Sequence, residues 1–234
     1  MTAIVIKTML IVGASRGIGA YVAAHYVNRV EHLWTVSRTT SPVGRWLQAD
    51  VSKREDIARI GAAMGKEPLD VLLYLGGVWE KGAFTDAYDF EGSPPEETAF
   101  VLSVNLTAPI LLVQTLLPNL QRAANPRAVF IGSLSALDNT ATREVANSAS
   151  KYGLRGAVQA MQINLRPHGI GLTVINPGNV ATPEVEADIA EGRFGEQQAI
   201  PLADLAAVID CALAMSPAST ITEINLAQRR PAVS

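Results

Sequence analysis

The chain has 234 residues, 48% of them hydrophobic, and a net charge of −3. That is enough apolar material for a single large domain spanning 1–234, and the slightly acidic balance leaves no electrostatic footprint for nucleic acid. The one cysteine, Cys211, excludes an internal disulfide framework and fits a reducing, cytoplasmic setting.

Residues 3–12 are apolar, but the run is short, carries Lys7 and enters a glycine turn, so it predicts a first strand over 9–12 and no signal peptide. An amphipathic helix follows over 17–28, then a strand over 33–36, a short strand over 46–49, a helix over 53–64 and a strand over 71–75. Residues 78–95 are rich in Gly, Pro and acids and predict a long loop. A helix is expected over 96–123. Its most apolar part, 108–120, is interrupted by Pro109, Gln114 and Pro118, so no run approaches the roughly 20 apolar residues of a membrane span. A strand over 128–131, a helix over 146–166 and a strand over 172–175 come next. A second long loop, 179–201, starts after Pro177-Gly178 and carries Gly192 and Gly195. Cys211 falls in a helical stretch, 205–215, where it reads as a small hydrophobe, and a last strand is expected over 221–226.

Short apolar runs alternating with longer amphipathic ones predict an α/β fold. It would be a single Rossmann-like, doubly wound parallel sheet of about seven strands with helices on both faces. In such a sheet the two long loops would wall a pocket.

Gly13, Gly17 and Gly19 lie between the first strand and the first helix. Glycines there permit a tight turn and a close backbone approach, while the helix N-terminus offers free N–H groups to a phosphate. The spacing is G-x-x-x-G-x-G, and the second strand ends about 20 residues on, where a ribose is read. An acid at that strand end would select NAD. The sequence has Arg38 there instead, and Arg16 inside the turn. Two guanidinium groups suit a dianionic 2′-phosphate, so the expected cofactor is NADP(H).

Taken together, the turn Gly13-Ala14-Ser15-Arg16-Gly17-Ile18-Gly19 and several later segments resemble the short-chain dehydrogenase/reductase family over nearly the whole chain. Asp50-Val51 resembles the pair that contacts adenine. Gly76-Gly77 stands where the family commonly has Asn-Ala-Gly after the fourth strand, with the asparagine lost. Asn105 resembles the helix asparagine that joins the catalytic group, and Ser133 the catalytic serine at a strand end. Asn176-Pro177-Gly178-Asn179-Val180-Ala181-Thr182 resembles the segment that holds the nicotinamide end. Glu223-Ile224 is similar to the family near the C-terminus. The resemblance therefore implies a dinucleotide held by Gly13, Ser15, Arg16, Gly17, Ile18, Gly19, Arg38, Asp50, Val51, Gly76, Gly77, Asn105, Lys151, Pro177, Gly178, Val180 and Thr182. It also implies a homodimer or homotetramer built through the helices 96–123 and 146–166.

The sequence departs from the family at the chemistry. The signature Y-x-x-x-K reads here Asn147-Ser148-Ala149-Ser150-Lys151. Positions i and i+4 share one helix face. On that face the family's tyrosine exchanges the substrate proton while the lysine lowers its pKa and holds the ribose. An amide can hydrogen-bond a carbonyl but is no general acid near neutral pH. Tyr152 follows directly, but on a helix it lies about 140° round from Asn147. Arg143 and Glu144, just before the helix, read as a solvated loop. The expected catalytic group is Ser133, Asn147, Lys151 and Asn105, with a water held by Lys151 and Asn105 as a proton source.

No G-x-S-x-G elbow is present, and His25, His32 and His168 have no metal-ligand spacing, so no metal is expected. Trp34 and Trp46 read as packing groups; Trp79, after the fourth strand, could line a pocket. The sequence thus predicts an NADP(H)-dependent oxidoreductase acting on a small carbonyl or alcohol without the tyrosine acid. The alternatives are a silent NADP(H)-binding sensor or partner protein, or a non-redox enzyme on the same fold.

Overall fold

The computed structural model describes residues 6–192 and 197–229. Seven strands form one parallel sheet: β1 (Thr8–Val12), β2 (His32–Ser37), β3 (Arg45–Gln48), β4 (Val71–Tyr74), β5 (Arg127–Ile131), β6 (Gly171–Pro177) and β7 (Glu223–Leu226), in the order β3-β2-β1-β4-β5-β6-β7. The helices are α1 (Gly17–Tyr26), α2 (Arg54–Met64), α3 (Pro95–Leu102), α4 (Ala108–Leu120), α5 (Val145–Leu165), α6 (Pro183–Ala190) and α7 (Leu202–Leu213). The expected doubly wound sheet is what the chain forms.

The central strands carry apolar runs buried on both faces, as in residues 9–12, 71–74 and 128–131, whereas the edge strands β3 and β7 include Arg45, Gln48, Glu223 and Asn225 and are only partly buried. In register, Leu10 of β1 sits between Trp34 of β2 and Leu72 of β4. With Tyr74, Phe130 and Val174 these side chains meet Ile60 of α2, Leu112 and Leu116 of α4 and Val158 of α5. The alternate residues Met9, Ile11, Leu73, Val129 and Ile175 meet Val22 of α1 and Leu205 and Ile209 of α7. Alternation of side chains across each strand thus makes two cores from one set of runs. The α1–α7 layer is also clasped by polar contacts: Tyr26 Oη donates to Asp210 Oδ1 at 2.6 Å, and His25 Nε2 lies 2.9 Å from Asp210 Oδ2.

Strand order reverses at β1, between β2 and β4. Connections leave in opposite directions there and open a crevice at the C-terminal strand ends. That crevice holds the site described below.

Four expectations need correction. Residues 95–120 form an unbroken helical stretch of 26 residues that contains an 18-residue window of mean hydropathy 1.9, long and apolar enough to cross a membrane by length and composition. It is helical through its prolines, as the expected helix over 96–123 required. A π-helical turn over Ser103–Thr107 has already rerouted the backbone bonds before Pro109, which lies in the first turn of α4. The stretch is used as a core helix, with Leu112, Leu116 and Leu120 fully buried against the sheet. The loop expected over 179–201 contains α6: Thr182 caps it by accepting from Val185 N at 3.3 Å, Pro183 follows at the first helical position, and Glu184 and Glu186 favour its N-terminal dipole. Cys211 is exposed on α7, not packed as a core hydrophobe. Glu144, expected in a solvated loop, is buried.

Buried Arg127, at the start of β5, has no ion-pair partner among the described residues. Its Nη2 donates to the carbonyls of Met215 (2.5 Å), Ser216 (2.9 Å) and Ser219 (3.2 Å), so it closes the turn after α7. Burial pulls its pKa below the usual guanidinium range.

Candidate functional site

The glycine turn is built by close backbone approach. Gly13 has φ +88, donates its N–H to Val36 O at 2.8 Å, and leaves no room for a side chain: a Cβ there would lie 2.6 Å from the backbone of Gly76. A Cβ on Gly19 would lie 2.0 Å from Gly13 O. The turn and the β4 end are therefore locked together. Helix α1 starts with no side-chain cap and no acid in its first turn, which leaves its N–H groups and positive dipole end facing the crevice.

A cavity of about 340 Å³ runs along the strand ends from this turn. Gly13, Ser15, Arg16, Gly17, Ile18 and Gly19 line its middle, with Gly76 and Gly77 from the β4 end. Arg38, Asp50 and Val51 line it beyond β2 and β3. Burial would raise the Asp50 pKa, but the Ser52 hydroxyl (2.7 Å) and N–H (3.0 Å), with the charges of Arg38 and Lys53, outweigh it and hold the carboxyl low. Pro177, Gly178, Val180 and Thr182, from the β6 end, line the opposite wall. The methyl of Thr182 would be 3.5 Å from a Cβ on Gly17, so this segment closes directly over the turn. Arg16, expected to face a 2′-phosphate, forms an ion pair with Glu184 of α6 at 2.7 Å.

Ser133, Asn147 and Lys151 line the same cavity. Ser133 Oγ accepts from Ser135 N (3.1 Å) and Ser135 Oγ (2.8 Å), which leaves its own hydrogen to point elsewhere. Asn147 is 5% exposed, and its carboxamide bonds to none of the described residues. Lys151 Nζ donates to Ile131 O at 3.2 Å, and burial lowers its pKa to about 8. Tyr152 is turned away, its hydroxyl donating to Leu137 O.

Asn105 is not among the residues that line the cavity. Its Oδ1 accepts from Val78 N at 2.9 Å, and its Nδ2 donates to Val78 O at 2.7 Å and Ser150 Oγ at 3.1 Å. It ties the chain after β4 to the π-helical turn and α5. Every other residue expected in the site lies along the one cavity.

Two buried carboxylates had no signal in the sequence. Glu80, 3% exposed, accepts at Oε1 from Ala146 N (2.6 Å) and Asn147 N (3.1 Å), and so caps α5 from outside. Glu144 Oε1 accepts from Phe84 N at 2.8 Å, which holds Phe84 at φ +64. A third pin runs from Val145 N to Tyr88 Oη at 3.0 Å. The segment 78–94 is thereby fastened to the start of α5. Its rings Trp79 and Phe84, 6.0 Å apart edge to face, line the cavity with Phe100, Val104 and Val185. Glu80 in an acid-rich loop and Glu144 at the entry to a helix both look like surface charge in a sequence; only the packing of the 78–94 segment on the start of α5 makes them anchors.

The profile of the short chain dehydrogenase family matches residues 7–192. The trans-4-hydroxycyclohexanecarboxylate dehydrogenase of Sinomonas cyclohexanicum is 30% identical over 247 aligned positions, covering 94% of this chain and 90% of that protein. The ketoacyl reductase HetN of Nostoc sp. (strain PCC 7120 / SAG 25.82 / UTEX 2576) is 29% identical over 203 residues, 80% of this chain and 68% of that one. A solved metagenomic short-chain oxidoreductase in complex with NADP superposes with a TM-score of 0.75 at 25% identity, over 96% of this chain and 98% of that chain.

Proposed function

This chain belongs to the short chain dehydrogenase family, and from that premise we propose that it is an NADP(H)-dependent oxidoreductase working on a small carbonyl or alcohol without a tyrosine acid. The observation that carries the reading is one continuous cavity joining the glycine turn to Ser133, Asn147 and Lys151. The residues present fit a dinucleotide: a backbone cradle that any Cβ would fill at Gly13, an uncapped helix N-terminus for the diphosphate, and arginines at positions 16 and 38 for a 2′-phosphate. When bound, the cofactor supplies hydride transfer.

The chain's own residues then bind, orient and protonate. Asn147 stands where the family's tyrosine stands, and its free amide N–H donates to the substrate oxygen. Ser133, whose lone pairs are taken by Ser135, donates its hydroxyl hydrogen to the same oxygen. Lys151, with a pKa of about 8, carries a transferable proton near neutral pH and takes over the acid role. This revises the expected water relay, since the Asn105 side chain is committed to Val78 and Ser150. Trp79, Phe84, Phe100, Val104 and Val185 give the cavity an apolar, aromatic wall that suits a neutral, ring-bearing carbonyl compound.

The test is a panel of cyclic and aromatic ketones and aldehydes with NADPH, read by loss of nicotinamide absorbance, after cofactor binding has been established by fluorescence. Turnover that disappears in Lys151→Met supports the reading; bound cofactor with no turnover across the panel overturns it. A second reading, an NADP(H)-binding protein without turnover, is favoured by the diversion of Tyr152 to Leu137 O. Reductase activity that appears only in Asn147→Tyr would establish it. As the helices α4 and α5 serve assembly in the family, the protein is also read as a homodimer or homotetramer. Ile163, 73% exposed on α5, lies on that helix, and mass measurement in solution checks it.

A further inference from the structure

Arg16 is the one arginine inside the glycine turn, and it is already engaged. Its Nη1 lies 2.7 Å from Glu184 Oε1, reaching from the turn across the cavity mouth to the first turn of α6. Both residues line the cavity. The two side chains are 69% and 43% exposed, so the pair is wet and exchangeable, unlike a buried bridge. Glu184 keeps its charge without help from Arg16 alone: its own backbone N–H is the largest of the influences that hold its carboxyl low, against burial, and the Thr182 hydroxyl and Arg16 add to it. Helix α6 is capped by Thr182, so its first turn does not depend on the pair either.

We propose that Glu184 is an internal competitor for the 2′-phosphate of NADP(H). It occupies Arg16 across the cleft mouth, gives it up when the phosphate arrives, and so sets the margin by which NADP(H) is preferred over NAD(H). This rests on the assignment of Arg16 to the 2′-phosphate. One guanidinium offers one fork to a single-charge carboxylate or to a dianionic phosphate with three acceptor oxygens, and the phosphate is the stronger partner. The carboxylate therefore lowers apparent affinity only for the phosphorylated cofactor. An exposed pair is populated over its open form by about one- to fivefold. Freeing Arg16 should then tighten NADPH by about two- to sixfold.

The experiment is titration of the full chain with NADPH and with NADH, read by nicotinamide fluorescence, for the wild type, Glu184→Gln, Arg16→Gln and the double variant. Glu184→Gln should tighten NADPH by about two- to sixfold and leave NADH within about twofold. Arg16→Gln should weaken NADPH alone, and adding Glu184→Gln to it should change nothing. NADPH affinity unaltered in Glu184→Gln, an equal gain for both cofactors, or a gain that persists in the double variant overturns the proposal while leaving Arg16 as the phosphate ligand. Arg16→Gln with undiminished NADPH affinity overturns that assignment and the proposal with it.

Discussion

The N–H of Phe84 lies 2.8 Å from Glu144 Oε1, and this bond holds a bulky aromatic residue in the left-handed region at φ +64. Such a conformation is unfavourable for a side chain with a Cβ and persists only where its surroundings impose it. Here the imposed shape puts the Phe84 ring against Trp79 in the cavity wall.

Removing the acceptor should therefore loosen the substrate end and spare the cofactor end. Glu144→Ala is expected to raise KM for a carbonyl substrate about three- to tenfold with NADPH affinity unchanged, because a misplaced wall costs orientation. Glu144→Gln, which keeps an acceptor oxygen, should stay near the wild type. Steady-state kinetics beside a cofactor titration separates the two ends; an equal loss at both would refute the division.

Gly19 and Gly17 should respond differently to the same methyl group. Gly19→Ala puts carbon 2.0 Å from a backbone oxygen and should cost about 1–3 kcal/mol in stability, with NADPH binding weakened more than tenfold. Gly17→Ala meets only the Thr182 methyl, at 3.5 Å, but at φ +52 should still cost about 1 kcal/mol. Thermal melts and fluorescence titrations check both.

Lys151 gives the protein two pH signatures with opposite slopes. Its ammonium form disappears as pH rises through about 8, so a reductase rate that needs it should be flat below and fall above that point. Stability moves the other way. Between about 8 and 10.5 the unfolded chain holds the proton that the folded chain has lost, so unfolding free energy rises with pH across that window. Denaturant melts at pH 7.5, 9 and 10.5 should show this rise in the wild type and lose it in Lys151→Met; a rise that persists in the variant assigns it to another group.

Arg127→Met should be among the more damaging changes away from the cavity. It removes the guanidinium donor from the carbonyls of Met215, Ser216 and Ser219 in a part-buried turn, leaving Met215 O only the Asn125 amide at 3.3 Å. A loss of about 2–4 kcal/mol is expected, lowering Tm by about 4–16 °C. A shift under 2 °C would mean that water replaces the guanidinium there.

Much of this was legible in the sequence, and for a physical reason. Runs such as 9–12 and 128–131 are apolar at every position, which only a strand covered on both faces needs, and the glycines at 13 and 19 are required by contacts that exclude any side chain. Periodicity failed where local chemistry was overridden or overlooked. The helix expected over 96–123 forms, but nothing in its pattern marks the π-helical turn over Ser103–Thr107 before Pro109. The Thr182-Pro183-Glu184 start of α6 was readable as a capped helix entry but lay inside a glycine-marked loop. Glu80 and Glu144 could not have been found, because their partners are backbone groups 60 or more residues away. The same holds for the Arg16–Glu184 pair, 168 residues apart in the chain.

The three pins from Glu80, Tyr88 and Glu144 to the start of α5 also bear on how this protein can change over generations. Every one of them ends on or starts from backbone on one side, so none depends on which side chains stand at positions 79, 84 or 100. Those three rings can be exchanged while the scaffold that carries them stays put and the dinucleotide cleft is untouched. New substrates are thus reachable by single steps at the wall, with the hydride-handling half of the molecule inherited intact.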